Sequence, residues 1–242
     1  MFFQGMIFDF NGVLWWDDQL QVQAWRQFAE RRFGISLTDE MLEVEVFGRN
    51  NRHTLEFLAG KELDDQRVAQ LSRQKEMLYQ SLCLSQGADF RLSPGAEDLL
   101  DVLKENNIPR TIATSSGREN LLFFIDHLQL DRWFDPALII YDDGVIPGKP
   151  SPDIYLRAAE KLRLNTEDCV VIEDSVSGVR AARSAGIGLI INMQPAGAQP
   201  RSNKLKGNSL VVDNLAQIPL QDLFGRSLIE VPAVQPQDND LK

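Results

Sequence analysis

Along this chain, short apolar runs alternate with longer stretches in which apolar residues recur every three or four positions. The runs at 6–10, 110–115, 137–141, 169–173, 188–192 and 209–212 predict strands apolar enough to be buried on both faces. Helical spacing fills the intervals. Pro94 sits at a first-turn position behind Ser93, ahead of an apolar face of Leu99, Leu100 and Leu103. Leu121, Phe124, Ile125 and Leu128 mark a second helix, and Ile154, Ala158, Ala159 and Leu162 a third. A fourth, on Val176, Val179, Ala182 and Ala185, closes at Gly186 as its C-terminal cap. Strands alternating with helices predict an α/β fold, a Rossmann-like parallel sheet with helices on both faces.

One interval breaks the alternation. Between the first strand and Ser93 there are only helical patterns: Leu20, Ala24, Trp25 and Phe28; Met41 and Leu42; Leu55 and Leu58; then Val68, Leu71, Lys75, Leu78 and Leu82. The expectation is a helical cap domain at 17–87, inserted after the first strand of a core made of 1–16 and 88–224. Such an insert is placed to cover the active end of the sheet as a lid. Trp15 and Trp16 at the junction are read as packing between the two parts. The segment 225–242, with Pro232, Pro236, Asp238, Asn239 and Asp240, predicts a polar, disordered tail.

Composition narrows the partners. With 242 residues and 43% hydrophobic residues, the chain can bury a sizeable core. Its net charge of −10 argues against nucleic acid or an anionic membrane as a partner, since both need basic patches. Cys83 and Cys169 sit in apolar contexts and read as buried thiols in a reducing compartment. The first five residues lack a basic segment, and no apolar run approaches the ~20 residues of a membrane span. Neither a signal peptide nor a transmembrane helix is expected, and a cytoplasmic location is.

Four separated pieces carry candidate chemistry. Asp9 ends the first strand and is followed by Asn11 and Gly12. Thr114, Ser115 and Ser116 end the second strand, with hydroxyls able to donate to an anion. Lys149, in Gly148-Lys149-Pro150, places a cation in a strand–helix loop. Glu173 and Asp174 end the fourth strand, and Ser175 is suited to cap the next helix. Each piece alone reads as a turn, a cap or a solvated loop. Together, three of them fall at C-terminal strand ends, where open parallel sheets build their sites. They combine a nucleophilic carboxylate, hydroxyl donors, a cation and oxygen ligands suited to Mg²⁺.

The order of these pieces resembles the haloacid dehalogenase (HAD) superfamily, in the branch with a small helical cap, and within it the β-phosphoglucomutase-like phosphatases. Asp9-Phe10-Asn11-Gly12-Val13 is similar to its first motif and Ile112-Ala113-Thr114-Ser115-Ser116 to its second. Gly148-Lys149-Pro150-Ser151-Pro152-Asp153-Ile154-Tyr155 is similar to the third, and Val171-Ile172-Glu173-Asp174-Ser175 with Gly178 to the fourth. The resemblance implies that Asp9 attacks phosphorus, Thr114 and the Ser115 backbone hold the phosphoryl group, and Lys149 neutralises charge. It further implies that Asp9, the Asn11 carbonyl and Asp174 bind Mg²⁺, with Glu173 a further ligand or an acid behind them. Gly48, Arg49 and Arg52 fall where relatives place a substrate-specificity loop, and the arginine pair is a candidate grip on a second anionic group.

The family's usual second Asp is Asn11 here, which keeps a backbone carbonyl but loses a proton donor. General acid–base assistance is worth ~10²–10⁴-fold, so slow turnover on alkyl phosphates is expected. Trp16, Gln21 and Asn51 also stand where mutase relatives carry Asp, His and Arg, which reads as natural divergence rather than one engineered change. Asp17 and Asp18 are weighed as replacement acids but read as caps of the helix that starts near Leu20. His53 and His127 are read as structural. The leading expectation is a Mg²⁺-dependent phosphatase of a small phosphorylated metabolite, a monomer or weak dimer. The alternatives are a weakly catalytic phospho-ligand binding or regulatory protein and, further off, a β-phosphoglucomutase, phosphonatase or dehalogenase.

Overall fold

The structure, a computed structural model, describes residues 2–195, 209–225 and 228. The chain runs β1 (Gly5–Phe8), α1 (Asp18–Phe33), α2 (Asp39–Glu45), α3 (Asn51–Ala59), α4 (Asp65–Leu84), α5 (Ala96–Glu105), β2 (Arg110–Gly117), α6 (Arg118–Leu128), β3 (Ile140–Asp142) and α7 (Asp153–Leu162). It continues β4 (Cys169–Glu173), α8 (Val176–Ser184), β5 (Leu189–Met193), β6 (Ser209–Val212) and α9 (Leu220–Phe224). The six strands form one parallel sheet in the order β3-β2-β1-β4-β5-β6. The Rossmann-like α/β expectation is met.

Strand order explains where a site forms. The chain winds outward from β1 through β2 to β3, then returns to the other side of β1 for β4 and onward. That reversal opens a crevice at the C-terminal ends of β1, β2 and β4. Phe8 pairs with Ile112 on one side and Ile172 on the other, so the residues just beyond these three meet at one level. Alternation along the strands serves both faces: Met6, Phe8 and Ile112 join one apolar cluster, and Ile7, Ala113 and Val171 the other.

Between β1 and α5 lie four helices, α1 to α4, with a hydrophobic cluster of their own built on Trp25, Phe28, Leu42, Leu55, Leu58 and Leu71. Three local expectations need correction. The third strand begins only at Ile140, because Asp135 caps a 3₁₀ turn at Pro136–Leu138. The first helix of the later core begins at Ala96 behind Gly95, not at Pro94, and the Ser93 hydroxyl instead donates to Val13 O (2.6 Å). Asp17 precedes α1 but makes no side-chain cap; the expected cap fails because its carboxylate is drawn elsewhere, as described below. The tail expected from 225 on lies outside the described residues apart from Gly225 and Leu228. Among the described residues, no helix is long and apolar enough to cross a membrane.

Below the crevice, the Phe124 ring on α6 stacks on Phe10 at 4.2 Å and meets Tyr79 of α4 edge-on at 6.2 Å. One buried ring thus joins the end of β1, a core helix and the helical insert. Phe124→Ala is expected to cost about 3–5 kcal/mol, read as a lower urea midpoint in equilibrium unfolding; a loss under about 1 kcal/mol would show that the insert is held some other way.

Candidate active site

The crevice brings together the pieces that the sequence scatters over 165 positions, from Asp9 to Asp174. Asp9 follows β1 directly, and its N–H donates to Ile172 O (3.0 Å), continuing the ladder to β4. The turn after it requires glycine. Gly12 has φ +78°, and a Cβ there would collide with the Asp174 carboxylate. A second close approach holds Glu173: a Cβ on Gly178 would strike its carboxylate, so α8 starts against the acid without a gap. Ser175 caps that helix by accepting from Gly178 N–H (3.0 Å), as its position before α8 led us to expect.

Lys149 lies at the centre. Its side chain is wholly buried, and Nζ donates to Asp9 Oδ1 (2.8 Å) and Glu173 Oε1 (2.5 Å). Glu173 Oε1 also accepts from Tyr155 OH (2.9 Å), while Oε2 accepts from Asp174 N–H, Ser175 N–H and the Ser175 hydroxyl. Burial works against the charge on Lys149, but Asp9 and Glu173 outweigh it and raise its pKa. Burial, reinforced by Glu173, in turn lifts Asp9 to about 7 despite Lys149. One ammonium therefore faces more buried negative charge than it neutralises. Asp9, Glu173 and Asp174 can bring one carboxylate oxygen each within 4.8 Å of the others. An all-oxygen set with excess negative charge suits a hard divalent cation.

Asp9 and Asp174 line the cavity at the crevice together with Asn11, Thr114, Ser115, Ser116, Gly48 and Arg49. Glu173 is wholly buried beneath them. The two serine hydroxyls already have partners: Ser115 Oγ donates to Gly48 O (3.3 Å) and Ser116 Oγ to Asn11 Oδ1 (2.8 Å). Thr114 Oγ1 accepts from Ser116 N–H (3.1 Å) and orders the turn.

The helical insert seats on these strand ends through the loop 47–50. Ser177 Oγ donates to Phe47 O (3.2 Å), and Arg49 Nη1 donates to the Lys149 carbonyl (3.2 Å). Arg52 does not join Arg49. It pairs within the insert with Glu56 (3.2 Å) and Asp65, and also donates to Leu63 O, so the expected arginine pair is not assembled. A salt bridge one helical turn away satisfies it locally. The cavity wall on the insert side carries Gln21, Asn51, Lys75 and Glu76. Lys75 Nζ donates to Gln21 (3.0 Å) and Glu76 (3.1 Å), and Glu76 also accepts from Asn51 (2.7 Å) and from Asn120 of α6 (2.6 Å).

Asp17 is the principal residue that the sequence misplaced. Its carboxylate is buried on the cavity wall, accepting from Asn11 Nδ2 (2.7 Å), Tyr79 OH (2.6 Å), Gln21 Nε2 (3.0 Å) and Gly12 N–H (3.2 Å). Four donors from both sides of the insert's junction outcompete a cap. Tyr155, Tyr79 and the Lys75–Glu76 pair were also missed. Lys75 carried the one usable signal, a charge inside an apolar helical stripe.

Comparison with known proteins identifies the family. A model of the haloacid dehalogenase-like hydrolases matches residues 3–186. The chain belongs to the haloacid dehalogenase-like hydrolase family. It is 32% identical over 188 residues to a phosphorylated carbohydrates phosphatase of Thermotoga maritima, covering 76% of this chain and 82% of that one. It is 30% identical over 196 residues to a β-phosphoglucomutase of Bacillus subtilis, covering 76% and 80%. The crystal structure of a family IA, variant 3 HAD hydrolase from Entamoeba histolytica superposes with a TM-score of 0.79 at 35% identity, covering 92% of this chain and 98% of that one.

Because α8 packs on Glu173 through Gly178, Gly178→Ala is expected to destabilise the protein by about 1–3 kcal/mol in urea unfolding. An unchanged midpoint would mean that Glu173 has room to move and does not fix Lys149.

Proposed function

We propose that this protein is a Mg²⁺-dependent phosphatase of small phosphorylated metabolites that works through an aspartyl-phosphate on Asp9. The observation that carries this reading is the convergence of Asp9, Thr114 and Asp174, from three adjacent strands, on one cavity, with Lys149 of the β3–α7 loop buried against Asp9. The names of the Thermotoga maritima and Bacillus subtilis relatives point to a phosphorylated sugar as the substrate class.

Asp9 attacks phosphorus in line as the bond from phosphorus to the ester oxygen breaks. The phosphoryl group passes to the carboxylate, and the leaving oxygen takes its proton from water to depart as the alcohol. Water then cleaves the acyl phosphate, releasing inorganic phosphate and restoring Asp9. Lys149 balances the charge on Asp9 and on the transferring group, where fixed charges are most effective because they need no reorganisation. Thr114 and the backbone after it hold the phosphoryl oxygens. Asp9, the Asn11 backbone carbonyl and Asp174 are the residues that would hold Mg²⁺. Glu173, saturated by five donors, instead fixes Lys149. When bound, the metal supplies further positive charge against the phosphate.

Two features limit the rate. The Asn11 amide has no transferable proton, so leaving groups that need protonation turn over slowly. The cavity is also small, about 70 Å³, well below the ~300–1,000 Å³ of an ordinary ligand pocket. A phosphorylated sugar enters only when the helical insert lifts from the strand ends, and closure then excludes bulk water. The second reading, a phospho-ligand binding protein, draws on Asn11 and predicts saturable phosphate binding with no turnover.

Steady-state assays with p-nitrophenyl phosphate and with a panel of sugar phosphates distinguish the two readings. Mg²⁺-dependent turnover is expected, lost on EDTA treatment, regained on adding Mg²⁺ back, and reduced at least about 10³-fold in Asp9→Asn. p-Nitrophenyl phosphate should give the higher kcat because its leaving group needs no proton. Turnover that persists in Asp9→Asn would sink the nucleophile assignment.

A further inference from the structure

Asn11 and Asp17 fit each other in a way that neither residue's position in the sequence suggests. The Asp17 carboxylate only accepts hydrogen bonds, so the Asn11 atom 2.7 Å from it is the amide nitrogen, which leaves Oδ1 to face the Ser116 hydroxyl at 2.8 Å. The same nitrogen lies 3.3 Å from Tyr79 OH. Asp17 collects two donors from the catalytic loop, the Asn11 amide and Gly12 N–H, and two from the insert, Gln21 of α1 and Tyr79 of α4. The phenol of Tyr79 is held protonated by burial and by the Asp17 charge, so it remains a donor.

An Asp at position 11 would set two carboxylates 2.7 Å apart in a buried site. The donor now at 11 would become a second acceptor, so the hydrogen bond turns into a buried clash of acceptors. We propose that Asn11 and Asp17 are a matched donor–acceptor pair, with Asp17 a positioning residue that fixes the catalytic loop and latches it to the closed insert. The amide at 11 is then demanded by the carboxylate at 17. The usual acidic residue cannot be restored at 11 alone. It needs an amide at 17, whose nitrogen at the Oδ2 position donates to the acid while its carbonyl at the Oδ1 position keeps Gly12 N–H. The Tyr79 hydroxyl, 3.3 Å from the side chain at 11, can turn to donate to the acid, and the Gln21 contact is lost.

The test is a four-member cycle: parent, Asn11→Asp, Asp17→Asn and the double swap. Its first readout is thermal unfolding of the metal-free protein, all four members at one fixed pH. Asn11→Asp should lower Tm by roughly 4–10 °C, and the swap should recover at least half of that loss. The second readout, which rests on the phosphatase reading, is kcat and KM on p-nitrophenyl phosphate with Mg²⁺. Asn11→Asp should lose about 10-fold or more in kcat with less change in KM, and the swap should regain it. Additive Tm shifts, or an Asn11→Asp protein as stable as the parent and more active, would overturn the pairing. Coupled Tm shifts in a protein that hydrolyses no phosphomonoester would uphold the pairing and count against the phosphatase reading alone.

Discussion

The buried ammonium of Lys149 is the interaction on which the rest of this structure depends. It reaches Asp9 after β1 and Glu173 at the end of β4, and so fixes the spacing of two strand ends that the sheet only brings to the same level. Breaking a buried ion pair by removing one partner typically costs about 3–5 kcal/mol, because the orphaned charges stay buried. Every nearby feature serves the same balance. Tyr155 and the amides after Glu173 spread that acid's charge, Gly178 lets α8 close on it, and Gly12 lets Asp174 come near. What remains is an excess of negative charge facing a small cavity. A site that attracts a divalent cation and then an anionic phosphoryl group needs that imbalance.

The insert meets the strand ends by polar contacts, while Ala24, Tyr79 and Cys83 anchor it in the main apolar cluster. Its loop 47–50 rests on backbone groups and serines at the strand ends, with Arg49 on the Lys149 carbonyl. The buried Lys75–Glu76 pair reaches the core through Asn120. Hydrogen bonds of this kind exchange readily with water and contribute roughly 0.5–1.5 kcal/mol each. An apolar seam of the same area would resist opening far more. On the proposed phosphatase reading, this polar edge is the part of the seam that opens to admit substrate, while the apolar contact of Tyr79 with Phe124 holds.

Much of this was legible in the sequence because parallel strands buried on both faces are written as short apolar runs, and because strand ends carry the chemistry. β4 and β6 fall at the expected residues, and the acids after β1 and β4 converge as strand order requires. What the sequence hid was the choice among partners for polar side chains. Asp17 has strong local reasons to cap α1, and no local pattern shows that Asn11, Gln21 and Tyr79 will surround it. Arg52 looks available for an anion until Asp65, thirteen residues on, folds back to meet it. Tyr155 is buried on α7 beside the apolar positions that mark that helix, and its hydroxyl is committed to Glu173. Long-range polar pairing is the part that a one-dimensional pattern does not encode.

The central claim is that Asp9 is the group to which phosphorus is transferred. The most direct measurement is to mix enzyme with Mg²⁺ and a slowly hydrolysed phosphomonoester, quench in acid during turnover, digest, and map modified peptides by mass spectrometry. The account predicts one phosphoryl group on Asp9, absent in Asp9→Asn and released by mild base as an acyl phosphate should be. Turnover with no such adduct, or an adduct on another residue, would contradict it.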